Sequence, residues 1–229
     1  MALVIYRESG AAADQKLPTR SFHLPQGVSV VLRQDKQDEG GKGSNLENVG
    51  LVVWQGAFVL IEYLLRTFPP EHWKDKRIIE LGAGTGLAGI ALAKLGAQVA
   101  LTDMEHVLPI LRENVATNLD VKEHRFSVSA LLWGDTTAMQ ALGECEVVLG
   151  AELVYQEEHF AALLATLRAL LASPAAVAYF SFCLRGRGEA RFEAMLHEEG
   201  FAVERVPCEQ LHHEYQGGNY VVLHIRRGF

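Results

Sequence analysis

Three alternating glycines, Gly82, Gly84 and Gly86, stand in the stretch IIELGAGTGLAGIALAKLGAQVALTD at 78–103. An apolar run precedes them and a helical pattern follows, so the stretch predicts a strand, a tight turn and a helix. Because glycine has no Cβ, backbone N–H groups and the positive end of a helix can approach a ligand closely at such a turn. The turn is therefore predicted to hold a cofactor.

The glycines alone leave two adenosine-containing cofactors open. Gly84, Gly86 and Gly89 also satisfy GxGxxG, the dinucleotide pattern, so an NAD-dependent oxidoreductase is one alternative. Glu80, at the tip of the first run, would repel a pyrophosphate but would accept hydrogen bonds from an ammonium or ribose group. This favours S-adenosylmethionine, which carries an ammonium and a sulfonium and no phosphate. Asp103, which ends the next run, would bind the ribose hydroxyls of either cofactor.

An acid and an aromatic residue, Glu152 and Tyr155 in AELVY, follow the fourth apolar run. Ligands bind at this edge of open α/β sheets, where the parallel strands end. A carboxylate there would orient a substrate amine, and a tyrosine would line a narrow apolar channel that lowers the pKa of the amine. We therefore predict Glu152 and Tyr155 as catalytic residues. The alternative is that Glu152 caps the following helix while Tyr155 packs beneath it.

Five apolar runs alternate with helical patterns in the central part of the chain. The runs are RIIEL (77–81), QVALTD (98–103), RFSVSALLW (125–133), EVVLGAE (146–152) and VAYFSFCL (177–184). Apolar strands separated by helices indicate a parallel sheet covered on both faces. The last two runs, FAVERVP and NYVVLHIRR, have no helical pattern between them and are predicted to pair antiparallel. The predicted fold class is α/β, with a doubly wound, mostly parallel, seven-stranded Rossmann-like sheet.

Residues 1–48 are predicted to form a short N-terminal β extension to a domain that spans 49–229. The segment SFHLPQGVSVVLRQD (21–35) has two extended runs around PQG, which predicts a hairpin. The charged, glycine-rich stretch DKQDEGGKGSN (35–45) is predicted to be a mobile loop.

Composition excludes several classes of protein. The formal net charge of −7, from 21 basic and 28 acidic residues, disfavours binding to nucleic acid or anionic membranes and favours a cationic partner. The three widely spaced cysteines argue against a disulfide framework and for a reducing compartment. No window reaches the roughly 18 apolar residues that span a bilayer. We expect a soluble monomer of the cytoplasm, with the nucleus as a second location and no metal.

The segments VVWQGA, ELGAGTGLAGI, LTDME, LLWGD and VVLGAELVY resemble, in order and spacing, the seven-β-strand S-adenosylmethionine-dependent methyltransferases of methyltransferase family 16. That family contains protein-lysine methyltransferases that act on chaperones, an AAA-type ATPase and translation elongation factors. The resemblance is close over about 49–171 and looser toward the C-terminus. Many members have Asp where this chain has Glu152, so the partner of that carboxylate is left open.

The resemblance implies a cofactor site that is spread over several strand ends. It places Gly82, Ala83, Gly84, Asp103, Met104, Trp54, Trp133 and Ala151 against the cofactor. Trp54 would lie at the methionine end and Trp133 beside the adenine, since an aromatic face suits a sulfonium and a flat apolar surface suits a purine. Each tryptophan could instead serve only in packing.

The resulting prediction is an S-adenosylmethionine-dependent protein-lysine methyltransferase that releases S-adenosylhomocysteine. Its partner would be a non-histone protein such as a chaperone, an AAA-type ATPase or a translation factor. Three alternatives remain: the same fold acting on arginine or a small molecule, the NAD-dependent oxidoreductase, and a non-catalytic binding module.

Overall fold

The structure, a computed structural model, describes residues 15–35 and 46–228. Within these ranges seven strands form one sheet in the order β5-β4-β3-β6-β7-β9-β8. They are β3 (Arg77–Leu81), β4 (Gln98–Asp103), β5 (Arg125–Ala130), β6 (Val147–Ala151), β7 (Val177–Cys183), β8 (Phe201–Arg205) and β9 (Tyr220–Arg227). Strands β3 to β7 are parallel, and β9 is antiparallel to both β7 and β8. The predicted fold class is confirmed, including the antiparallel pair at the C-terminus.

Helices cover both faces of this sheet, as the uninterrupted apolar strands require. They are α1 (Gln55–Thr67), α2 (Pro70–Trp73), α3 (Leu87–Lys94), α4 (Leu108–Asn118), α5 (Thr136–Leu142), α6 (Phe160–Leu170) and α7 (Glu189–Glu198). Buried side chains of α1, α3 and α4 form one hydrophobic cluster, and those of α5, α6 and α7 belong to a second. In the described part of the chain, no helix is long and apolar enough to cross a membrane.

The third apolar run is shorter as a strand than the sequence predicts. Strand β5 ends at Ala130, whereas the prediction extended it to Trp133. The chain turns there because the Asp135 N–H donates to the Leu132 carbonyl, at 3.1 Å, and Gly134 has a φ of 88°. The turn leaves Leu132 64% exposed at the end of the sheet.

The predicted hairpin near the N-terminus is confirmed as β1 (Thr19–His23) and β2 (Ser29–Arg33), which pair antiparallel. Its inward side chains, including Phe22, belong to the same hydrophobic cluster as α1, α3 and α4. The turn is fixed by Gln26, whose Nε2 donates to the carbonyls of Leu65 and Phe68 at the end of α1. The predicted loop at 35–45 lies outside the described residues except for Asp35.

Two asparagines of α4 bind the outer backbone edge of β2. Asn118 accepts from the Val31 N–H and donates to the Val31 carbonyl, and Asn114 does the same with Arg33. The two amides replace the neighbouring strand that this edge lacks. Asn114 also donates to the Thr85 carbonyl at 3.1 Å, so it links the hairpin to the glycine-rich segment after β3.

Candidate functional site

The glycine turn, residues 82–86, lies between the end of β3 and the start of α3. Its three glycines have φ values of 56° (Gly82), 54° (Gly84) and 89° (Gly86), a conformation that side chains with a Cβ rarely adopt. A Cβ on Gly84 would lie 3.0 Å from the Gly50 carbonyl oxygen, and one on Gly82 would lie 2.5 Å from a methyl carbon of Leu153. The predicted tight turn is therefore present, and a Cβ at Gly82 or Gly84 would require the neighbouring atoms to shift.

Asp103, at the end of β4, binds this turn directly. Its carboxylate accepts from the Gly84 N–H and from the Met104 N–H, each at 2.7 Å. The side chain is buried, and burial raises its pKa although the two backbone donors oppose the rise. Asp103 thus joins two neighbouring strand ends, at the position where the sequence predicts contact with a ribose. Met104, the next residue, is 38% exposed.

Glu80 lies beneath the turn rather than at its tip. It is 4% exposed, and its carboxylate accepts from the Gly89 N–H of α3 at 2.9 Å. Burial, followed by the nearby charge of Asp103, raises its pKa to about 8. The contact with α3 was not predicted, and it shows that Glu80 anchors the helix start. Direct contact of Glu80 with a cofactor stays a prediction.

Gly89 does not decide between the two glycine patterns. It sits where α3 packs closely on β3 and β4, and a Cβ there would meet Leu101 at 3.0 Å. The third glycine of a dinucleotide site has the same packing role. The glycines of this structure therefore fit both cofactors.

Trp54 stands immediately before α1 and is half-buried. Its indole Nε1 donates to the Val49 carbonyl at 2.7 Å, which fixes the ring relative to the segment that carries Gly50. Because the Gly50 carbonyl approaches Gly84, this segment also adjoins the glycine turn. The structure thus brings the Trp54 segment to the turn, as the resemblance implies.

Glu152 directly follows β6 and has a φ of 59°, an unfavourable conformation for a residue with a Cβ. Its buried carboxylate accepts from the Gly56 N–H in the first turn of α1 at 3.2 Å. Gly56 permits this, since a Cβ there would lie 2.6 Å from the Glu152 Cγ. Glu152 therefore binds the start of α1 and not the helix that follows it in sequence.

Arg185 is the residue that the sequence interpretation missed. Its guanidinium donates to the Glu152 carboxylate at 2.7 Å and lies 5.9 Å from the centre of the Trp54 ring. Arg185, in the segment FCLRGRGE (182–189), follows β7, which ends at the same edge as β6, and that position was the available signal. The distance along the chain between Glu152 and Arg185 hides the pair from any local pattern.

The remaining predicted site residues lie at the carboxyl edge of the sheet, where the parallel strands end. Tyr155 is half-buried, and its pKa is raised by burial and then by the charge of Asp103. Ala151 is the last residue of β6, and Ala83 donates its N–H to the Thr102 carbonyl. Trp133 packs on the second cluster and makes an edge contact with His159. The structure brings these residues to one edge, but their cofactor contacts stay predictions.

The polar groups at this edge suit a cofactor that carries positively and negatively charged groups. Backbone N–H groups bind the two buried carboxyl groups, Glu80 and Asp103, whose pKa values are raised by burial, so a nearby cation would favour their ionised forms. Beside Trp54, the buried Gln55 has an Nε2 donor with no hydrogen-bond partner among the described residues. No group of three side chains suited to a metal ion occurs within residues 15–35 and 46–228.

Comparison with known proteins identifies relatives over most of the chain. A family model described as lysine methyltransferase (methyltransferase family 16) matches residues 38–199. The chain is 38% identical over 208 residues to protein N-lysine methyltransferase METTL21A of Danio rerio, covering 90% of each chain. It is 33% identical over 203 residues to EEF1A lysine methyltransferase 3 of Xenopus tropicalis, covering 89% of this chain and 86% of that one.

Solved structures share the fold at lower identity. The T. Thermophilus 16S rRNA N2 G1207 methyltransferase RsmC, in complex with AdoMet and guanosine, aligns with a TM-score of 0.58 and 16% identity. That alignment covers 92% of this chain and 51% of RsmC. The glycopeptide N-methyltransferase MtfA, complexed with S-adenosylmethionine, has the same TM-score and identity, over 75% of this chain and 94% of MtfA.

Proposed function

Since the chain belongs to the lysine methyltransferase family, with S-adenosylmethionine as its cofactor, we propose that it methylates a lysine of a non-histone protein such as a chaperone, an AAA-type ATPase or a translation factor. The observation that carries the proposal is the Glu152 carboxylate, held at positive φ at the carboxyl edge together with the glycine turn. A strained residue that its surroundings hold in place is a common feature of functional sites.

The cofactor would lie across the glycine turn and the end of β4. Gly82, Ala83 and Gly84 would contact its methionine and ribose part, and Asp103 would accept from the ribose hydroxyls with Met104 alongside. The positive φ values of Gly82 and Gly84 and the bond from Gly84 to Asp103 support this arrangement. Glu80 would act through α3, since its carboxylate binds Gly89.

The two tryptophans and Ala151 would complete the cofactor site. Trp54 would cover the methionine end, where an aromatic face stabilises the sulfonium. Trp133 would flank the adenine, and the exposed Leu132 beside it supports an apolar surface there. Ala151 ends β6 next to Glu152 and would separate the cofactor from the acceptor.

The cofactor would supply a methyl group on its sulfonium sulfur. The lysine ammonium would lose a proton, its nitrogen would form a bond to the methyl carbon in line with the C–S bond, and S-adenosylhomocysteine would leave with the C–S electron pair. A free lysine amine has a pKa near 10.4, so it must be deprotonated before it attacks. Glu152 would orient the amine, and the half-buried Tyr155 would form an apolar wall that lowers the amine pKa. Correct positioning would account for much of the rate.

The test is to replace Glu152 by alanine and supply lysate with S-adenosylmethionine that carries a radiolabelled methyl group. We expect protein labelling to fall by at least about a hundredfold, as for loss of a group that positions the reacting atom. Calorimetric affinity for S-adenosylmethionine should change by less than about threefold, because Glu152 binds α1 and Arg185 rather than the glycine turn.

Glu158→Ala is the matched control, because Glu158 is an exposed acid a few residues along the same segment. It should label as the unaltered protein does. Full turnover in Glu152→Ala would contradict the assignment of Glu152. Label in arginine or in small metabolites, identified by hydrolysis and chromatography, would contradict the lysine acceptor.

We further propose that the protein acts as a monomer in the cytoplasm or the nucleus and binds a basic protein segment. The net charge of −7 supports a cationic partner and opposes binding to nucleic acid or to an anionic membrane. Sedimentation of the purified protein would test the monomer directly.

A further inference from the structure

The carboxylate of Glu152 and the indole of Trp54 together hold a cation. That cation is the Arg185 guanidinium, at 2.7 Å from the carboxylate oxygen and 5.9 Å from the indole centre. A buried carboxylate beside an aromatic face is also the arrangement that binds an alkylammonium group. One positively charged side chain of the protein thus occupies a receptor that suits a lysine.

The Arg185 backbone is held by a buried side chain, whereas the Arg185 side chain itself is partly exposed to solvent. The Arg185 N–H and the Arg187 N–H both donate to the buried carboxylate of Glu189, at 2.9 and 2.7 Å. The Arg185 side chain is 31% exposed, while that of Glu152 is only 6% exposed. Rotation about side-chain bonds would therefore carry the guanidinium into water without any movement of the loop.

We propose that Arg185 is an internal occupant of the substrate ammonium site, and that the incoming lysine displaces its guanidinium from Glu152 and Trp54. The proposal rests on the proposed function, because it places the acceptor lysine at Glu152. Without substrate, Arg185 keeps the buried Glu152 charge paired, since an unpaired buried charge is costly.

Exchange of one cation for another makes the site selective for charged substrates. A lysine ammonium restores the pairing of Glu152 when Arg185 leaves, whereas a neutral side chain of similar size would leave the carboxylate unpaired. Specificity then arises from rejection of uncharged groups as well as from attraction of the lysine. Arg185 would also weaken the binding of lysine, because its own interactions must be broken first.

The experiment measures binding of n-butylammonium chloride, an analogue of the lysine side chain, without any methyl transfer. The probe is the indole N–H resonance of Trp54, assigned with Trp54→Phe among the three tryptophans of the chain. Arg185→Gln should lower the dissociation constant by at least about tenfold relative to the unaltered protein. Equal or weaker binding by Arg185→Gln would overturn the proposal.

Three controls test whether tighter binding to Arg185→Gln requires the Glu152 carboxylate and a charged ligand. Arg187→Gln removes a cation from the same loop but not from Glu152, and should bind n-butylammonium as the unaltered protein does. The double variant Glu152→Gln/Arg185→Gln should lose the gain, because the carboxylate is gone. Uncharged n-butanol should bind no better to Arg185→Gln; a similar gain for n-butanol would mean that only space was opened, which would also overturn the proposal.

A measurement on the unaltered protein tests displacement without relying on a variant that could fail to fold. During the n-butylammonium titration, the side-chain N–H resonance of Arg185 should move with the same dissociation constant as the Trp54 indole. Movement of Trp54 with Arg185 unaffected would contradict displacement. Because these titrations contain no cofactor, failure of the displacement can be told apart from failure of the proposed function, which would appear as lost S-adenosylmethionine binding or lost labelling.

Discussion

The carboxyl edge of the sheet has two halves that treat buried carboxylates differently. In the half at β3 and β4, backbone N–H groups bind Glu80 and Asp103, and the pKa of each is raised by burial. In the half at β6 and β7, Glu152 is buried to a similar degree but is paired with Arg185. The first half holds carboxyl groups with raised pKa values that are bound by backbone N–H groups, and the second half holds an ion pair between two side chains.

This difference matches what each half binds. The cofactor carries an ammonium and a sulfonium, and these cations would favour ionisation of the two carboxyl groups whose pKa values burial raises. The acceptor lysine must enter and leave at every turnover. Arg185 keeps the buried Glu152 carboxylate paired during the time when no substrate is bound, which avoids the cost of an unpaired buried charge. Alterations in one half should therefore leave the other half intact.

The largest effect on cofactor affinity is expected from Gly84→Ala in the cofactor half. The alanine would have to adopt a φ of 54°, and its Cβ would lie 3.0 Å from the Gly50 carbonyl oxygen. We expect affinity for S-adenosylmethionine, measured by calorimetry, to fall by roughly a hundredfold, about 2.7 kcal/mol. The response of Trp54 to n-butylammonium should persist, because the Glu152–Arg185 pair is untouched.

Gly200→Ala is the control for backbone strain alone. Gly200 has a φ of 82° at the end of α7, and a Cβ there would meet nothing within 4 Å. Both variants should lose about 1–2 kcal/mol of unfolding free energy, but Gly200→Ala should bind the cofactor normally. Equal cofactor affinity in the two variants would refute the close approach at the turn.

A second prediction concerns the dependence of stability on pH. The folded-state pKa of Glu80, about 8, lies above its ordinary value of 4.5, so the folded protein binds more protons between these values. Unfolding free energy should therefore fall as pH rises from about 5 to about 8, at about 1.4 kcal/mol for each unit of pKa difference. Urea titrations at several pH values measure this slope.

Glu80→Gln isolates the contribution of this carboxyl group. A glutamine retains an oxygen for the Gly89 N–H but does not titrate, so the difference in unfolding free energy between the two proteins should change by a few kcal/mol across that range. Parallel pH curves for the two proteins would show that Glu80 is ionised throughout. The comparison between the halves would then fail for Glu80.

A smaller effect is expected from Asn114→Ala, because it removes side-chain hydrogen bonds and leaves the glycines intact. Asn114 binds both Arg33 of the hairpin and the Thr85 carbonyl of the glycine turn. We expect a loss of about 1–3 kcal/mol in unfolding free energy and a several-fold loss of affinity for S-adenosylmethionine by calorimetry.

Asn118→Ala separates the two roles of Asn114. Asn118 makes the same pair of bonds to the hairpin, at Val31, but none to Thr85. It should lower stability by a similar amount while cofactor affinity stays near normal. Equal loss of affinity in both variants would mean that the hairpin as a whole, and not the link to Thr85, supports the turn.

Much of the fold follows from local sequence patterns. The apolar runs predicted β3 and β4 at their observed bounds, because a buried parallel strand must be apolar along its whole length. The run at 125–133 was predicted too long, since LLW is apolar whether it continues a strand or turns away. Gly134 and the bond from Asp135 to Leu132 end that strand, and neither is visible as a change in hydrophobicity.

The sequence by itself determined the fold class, because apolar runs are local properties of the chain. It indicated the family and the cofactor through the glycine turn taken together with VVWQGA, LLWGD and AELVY, since the glycines alone fit two cofactors. Only the tertiary structure decided which group each buried carboxylate binds. Glu80 was expected at a ligand and binds Gly89, and Glu152 was expected on the following helix or a substrate and binds Gly56 and Arg185. Glu152 meets Gly56 and Arg185 only when β6, β7 and α1 pack together, and Glu80 meets Gly89 only when α3 packs on β3.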